Sequence, residues 1–212
     1  MKDDIDKAVK RTQQYWFIDG LTEIAVGVVF VLVGLLFLVE SFAPPDSPLA
    51  HISALGLPLI VIIGWSVTSR LVSAAKARLT YPRTGYVKYR RPPTRQRVNR
   101  FVVGAAVGAG VGFVVATLAL TAPASPAWIP ALQGLIVGAF WAYFGWHFAL
   151  TRFYVLAIVS VALGPATALA GLGDIRGNGV YFSLMGMAMI VSGGLALISY
   201  LRQTKAPGDD AQ

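Results

Sequence analysis

Glu23, His147 and Arg152 are the residues in the apolar segments best suited to hold charge or move a proton. Glu23 lies one turn inside the first apolar segment, and His147 stands five residues before Arg152 near the end of a later one. If these segments are neighbouring helices, the three side chains share a depth and form a polar cluster at one mouth of a bundle. A histidine in an apolar helix is a functional candidate, because it titrates near neutrality and is costly to bury without a partner. A hydrogen bond between helices is the plainer use of the same ring. Asp19 is placed to cap the first helix, and Glu23 complements the positive end of its dipole. Glu40 falls near the other end, about 25 Å along a helix from Glu23, so neither acid is at mid-depth, where a proton relay needs one. Ser66, Ser160 and Ser192 are the main mid-segment polar residues, with Gln133 nearer an end.

A second group is basic. Ten Lys or Arg lie between Arg70 and Arg100. Within this stretch, two short β-prone runs flank Pro82-Arg83-Thr84-Gly85, a turn-forming sequence that could close a β-hairpin. Such a hairpin displays Arg83, Lys88, Arg90 and Arg91 among Tyr81, Tyr86 and Tyr89, a combination that attracts anionic lipid headgroups or an acidic partner. The same charges also serve to fix topology. Tyrosines among arginines can stack on bases, but the membrane is the nearer polyanion and no nucleic acid is expected.

Enzyme signatures are missing. The chain has no His-Glu-x-x-His, no Gly-x-Ser-x-Gly and no P-loop, and it has no cysteine. Its two histidines, His51 and His147, fall at opposite ends of the apolar segments. No catalytic residue, metal site or cofactor is expected.

The elements that must carry these residues follow from composition. Of the 212 residues, 56% are hydrophobic and only 13% charged, about half the charge of a soluble domain. From Phe101 to Thr151 no Asp, Glu, Lys or Arg occurs, whereas a helix in water must show one polar face. Spans of about 20 residues are expected at 21–42, 52–69, 101–121, 131–150, 153–172 and 180–201. Pro123, Pro126 and Pro130 split the uncharged region into two helices, and Gly173 to Gly179 reads as a turn. The first span is too long for the apolar core of a cleavable signal. With six spans, every Lys and Arg except Arg176 falls on one side, which the positive-inside rule makes cytoplasmic together with both termini.

The expected fold is thus an all-α integral membrane protein, a six-helix transmembrane bundle forming one domain. Residues 1–18 are expected to form an amphipathic helix on the inner leaflet, since Ile5, Ala8, Val9, Thr12, Tyr15 and Trp16 recur at helical spacing. Residues 70–100 form the basic cytoplasmic loop, and 203–212 a disordered tail. Gly104, Gly108 and Gly112 make a close-packing face on the third span, within the monomer or between copies in a homo-oligomer. Gly27 with Gly34, Gly138 with Gly145, and Gly186 with Gly193 are each seven apart and so stay on one face. The shared spacing also hints at an internal repeat such as transporters use.

The Asp19-Gly20-Leu21-Thr22-Glu23 start of the first span, the loop segment Thr80-Tyr81-Pro82-Arg83-Thr84-Gly85-Tyr86-Val87 and the Arg152-Phe153-Tyr154 turn resemble an uncharacterised family of bacterial multipass membrane proteins of about six spans. The resemblance implies a bacterial inner-membrane setting and carries over no activity or catalytic residue. A non-catalytic accessory subunit or lipid-associated scaffold is the first functional expectation. A small transporter or channel is the second, and a membrane-embedded enzyme the third.

Overall fold

The computed structural model describes residues 17–44, 46–79 and 128–204, apart from a few side chains in 50–79. All belong to one compact unit formed by Met1–Gly85 and Ala127–Gln212; a second unit, Tyr86–Pro126, lies outside the described residues. The described residues are helical, with no strand among them. In chain order the helices are α1 (Leu21–Phe42), a 3-10 turn (Pro48–His51), α2 (Ile52–Leu79), α3 (Ile129–Phe148), α4 (Thr151–Leu169) and α5 (Asp174–Gln203). All five α-helices are long and apolar enough to cross a membrane. The expected third span, with Gly104, Gly108 and Gly112, lies outside the described residues, as do the hairpin and residues 1–16 and 205–212; of the helix expected over 1–18, Phe17 and Ile18 form a turn, and of the tail expected over 203–212, Gln203 is helical.

Between apolar helices in lipid there is no hydrophobic drive, so close packing must hold them together. α1 and α5 achieve it by placing glycine against glycine. Gly20, Gly27 and Gly34 of the first helix and its entry turn lie against Gly193, Gly186 and Gly179 of the last, seven residues apart on both strands of an antiparallel pair. A Cβ on Gly27 would stand 2.7 Å from the Gly186 carbonyl oxygen, and one on Gly186 would stand 2.6 Å from that of Gly27. α3 and α4 repeat the device once: Gly134 and Gly164 meet so closely that a Cβ on either would lie 2.7 Å from the other's Cα. The seven-residue glycine pairs noted in α1 and α5 therefore pack against each other inside one chain.

The apolar core lies among α3, α4 and α5, where Trp141, Phe153, Leu156, Ala157, Tyr181, Met185 and Met189 are buried together. The Tyr181 hydroxyl cannot be left unpaired there. It lies 2.8 Å from Ser160 Oγ, which itself donates to the Gly134 carbonyl at 2.9 Å. With the serine proton so committed, the tyrosine is the donor in the first contact. Leu32, Ile62, Ile158 and Leu195 are among the large apolar side chains on the outside of the bundle, as expected where the surrounding medium is lipid.

The helices depart most from the expected spans in α2 and α5. α2 continues ten residues past 69, because Ala74-Ala75-Lys76-Ala77-Arg78 is strongly helix-forming, so Arg70, Lys76 and Arg78 stand on a helix rather than in a loop. α5 begins at Asp174 behind Gly173 and runs to Gln203. Gly177 and Gly179, in a stretch whose sequence suggests a turn, are thus helical: Gly179 admits Leu38 of α1 and Gly177 admits Pro130 of α3. α2 and α4 also pass through Pro58 and Pro165 without ending.

α3 and α4 are joined by Ala149 and Leu150 alone. Ala149 closes α3 in the left-handed region at φ 52, where it has a Cβ but no compensating side-chain bond. Left-handed backbone costs a non-glycine residue roughly 1–2 kcal/mol. Ala149→Gly is accordingly expected to stabilise the detergent-solubilised protein by about 0.5–1 kcal/mol, measured as a higher unfolding midpoint. An unchanged or lower midpoint would show that this turn does not hold Ala149 in that conformation.

Candidate functional site: a buried ion-pair cluster

The turn Phe17 to Gly20 brings the chain into α1. Gly20, at φ 70, holds the cap position that had been expected for Asp19, and the Asp19 carboxylate instead accepts the Leu21 N–H through Oδ1 at 3.2 Å. Its other oxygen, Oδ2, meets Lys76 Nζ at 2.7 Å. Both side chains are almost wholly buried, 0% and 2% exposed. Lys76 reaches this position because it follows Val72 by one turn, and these are the two buried side chains among the described residues of α2.

One turn further on, Glu23 faces α4 and α5 together. Its Oε2 lies 2.9 Å from Arg152 Nε, an approach that is an ion pair rather than an aligned hydrogen bond. Its Oε1 accepts a hydrogen bond from Ser192 Oγ at 2.6 Å. Arg152 is 22% exposed and also donates through Nη2 to the Phe17 carbonyl and through Nη1 to that of Ile18 at 3.4 Å. The entry turn of α1 is therefore tied to α2 by Lys76 and to α4 by Arg152, and the first turn of α1 is tied to α5 by Ser192.

Of the three residues expected to cluster, the structure brings together Glu23 and Arg152. His147 does not join them. Its ring stacks on Tyr143 at 5.6 Å and 16° and meets Phe148 edge-on at 4.8 Å, one turn and one residue away on its own helix. Among the mid-span serines, Ser192 belongs to the cluster and Ser160 to the Tyr181 pair, while Ser66 bonds back to the Ile62 carbonyl of α2. Arg83, Lys88, Arg90, Arg91, Tyr81, Tyr86 and Tyr89 lie outside the described residues.

Asp19 and Lys76 were missed as a pair. The available signal was an acid beside an apolar span, which needs a counter-charge, and a lysine in helical phase with a buried valine. Chemically, each of the two acids is paired with a base, Asp19 with Lys76 and Glu23 with Arg152. The Ser192–Glu23 contact has the elements of a nucleophile and its base, and the other oxygen of the same carboxylate is paired with Arg152. No group of three or more potential metal ligands occurs among the described residues.

Two apolar grooves open on the outside of the helices. One, of about 320 Å³, runs between α1 and α2, with Leu21, Val28 and Leu32 facing Val67 and Leu71. The other, of about 580 Å³, runs between α4 and α5 and has Arg152 at its end. No family model, no curated protein and no solved structure matches the chain.

Proposed function

We propose that this chain is a non-catalytic integral membrane protein of a bacterial inner membrane, an accessory subunit or lipid-associated scaffold. In this reading six spans cross the bilayer, both termini are cytoplasmic, and the basic loop between α2 and the next span holds anionic headgroups or an acidic partner against the inner leaflet. The observation that supports it is the pairing of Asp19 with Lys76 and of Glu23 with Arg152. Ionisable groups within an apolar bundle are normally functional, and here they are engaged in joining helices. Function then falls to the surfaces, of which the 70–100 stretch is the most strongly charged.

The seven basic residues from Arg83 to Arg100, beyond the end of α2, exceed what orienting two helices requires, because a few near the span ends suffice. Attraction to a charged leaflet fades within about 8 Å at physiological salt, so the loop must lie close to the membrane to use them. Changing Arg83, Lys88, Arg90 and Arg91 to Gln is expected to leave topology intact while binding to anionic liposomes falls and loses salt sensitivity. Topology is read separately by labelling a single cysteine introduced at Ser125, which is accessible only from the outside if six spans are present. Undiminished binding at low and high salt would reduce the loop to a topology signal.

A further inference from the structure

The α4–α5 groove has a chemistry that the α1–α2 groove lacks. Val155 and Val159 of α4 face Val191 and Leu195 of α5 across it, and Arg152 closes one end. Its walls extend about 10 Å along each helix, seven residues at 1.5 Å each, a length that covers the upper half of a lipid acyl chain. In the α1–α2 groove every lining residue except Thr68 is aliphatic or glycine, with no charge.

Arg152 retains binding capacity. Its guanidinium has five N–H groups in a planar fork. Nε faces Glu23, and one hydrogen of each Nη serves a carbonyl of the α1 entry turn. The second hydrogen of each Nη has no carbonyl partner among the described residues. Arg202 stands seven residues beyond Leu195, hence on the same face of α5, and is exposed. Among the described residues no free acid stands at this end: Asp19 and Glu23 are paired, while Glu40, Asp46 and Asp174 lie at the opposite ends of their helices or beyond. Among the described residues the groove is therefore chiefly apolar along its length, with Ser192 in its wall, and Arg202 adds a positive charge beyond the paired Arg152 at its mouth.

We infer that the α4–α5 groove is a binding site for one anionic glycerophospholipid, with its phosphate between Arg152 and Arg202 and one acyl chain along Val155, Val159, Val191 and Leu195. This site rests on the membrane reading above but is separate from the basic loop. Arginine suits the task because its fork presents paired donors to phosphate oxygens. The lipid would brace the exposed seam between α4 and α5 at the end where Glu23 holds Arg152.

The test uses delipidated full-length protein in detergent, titrated with phosphatidylglycerol or phosphatidylcholine, with bound lipids counted by native mass spectrometry. Phosphatidylglycerol is expected to bind more tightly than phosphatidylcholine. Arg202→Gln should weaken it about fivefold, the effect of one basic residue at a membrane surface. Ala188→Phe, which fills the groove, should remove one bound lipid, with Val191→Phe at the rim as the substitute if the first variant does not fold. The quadruple loop variant should retain this lipid, so the site and the loop fail independently. Equal affinity for the two lipids, or an unchanged lipid count in the groove-filled variant, would overturn the assignment. So would a change of oligomeric state on filling the groove, since its occupant would then be a second copy.

Discussion

Lys76→Met is expected to destabilise the bundle by about 3–5 kcal/mol, the usual cost of removing one member of a buried ion pair. Asp19 is wholly buried beside Lys76, so its carboxylate cannot turn to solvent when the ammonium is lost. The double variant Asp19→Asn with Lys76→Met should recover most of that stability. Asparagine keeps an oxygen for the Leu21 N–H, methionine fills the volume of the lysine stem, and the pair no longer has charges to desolvate. Replacing a buried ion pair by uncharged groups of similar size is often neutral or stabilising. Unfolding midpoints of the parent, both single variants and the double variant form a cycle that isolates the pair. A Lys76→Met protein as stable as the parent would mean that the lysine is solvated and α2 is not tied to the entry turn of α1.

Two adjacent glycines of α5 should behave in opposite ways. At Gly193 a Cβ would lie 2.7 Å from the Gly20 carbonyl oxygen and 2.9 Å from Ile24 N, both backbone atoms that a rotamer change cannot move. At Gly194 nothing stands within 4 Å. Gly193→Leu is therefore expected to cost about 3 kcal/mol by forcing α1 and α5 apart. Gly194→Ala should gain about 0.5–1 kcal/mol, the ordinary preference of a helix for alanine over glycine. Parallel thermal unfolding of the two variants in one detergent measures the contrast. Equal effects would show that the glycine contacts between α1 and α5 are not made.

The parts of this fold legible in the sequence are those governed by a local rule. α1 occupies Leu21–Phe42 as expected, because an unbroken apolar run is flanked by Asp19-Gly20 and by Ala43-Pro44. α2 ran past its expected end because hydropathy marks where lipid stops, whereas the helix continues while the residues favour it. α5 began early because glycines that look like a turn in sequence serve close approach in the fold.

The same division holds in the cluster. Glu23 and Arg152 could be paired from depth alone, since each needed a counter-charge near one end of the spans. His147 shared that depth, yet its helix turns it toward Tyr143, and azimuth is not encoded by hydropathy. Lys76 was counted among the basic residues that set orientation, a rule that treats every lysine as a solvated sign. Its burial depends on α2 meeting the α1 entry turn, a contact between residues 57 positions apart.

The glycine register between α1 and α5 also limits how the molecule can move. Gly20, Gly27 and Gly34 stand opposite Gly193, Gly186 and Gly179 with one common offset. Sliding one helix past the other by a single turn would drive all three notches against side chains at once. The next position that realigns even two of them is seven residues away, about 10 Å, or a third of the bilayer core. Axial ratcheting of these two helices is therefore forbidden, and together they act as a rigid keel. Any working motion must swing other helices about that keel, and α2, fastened to it at Lys76, is the arm best placed to pivot.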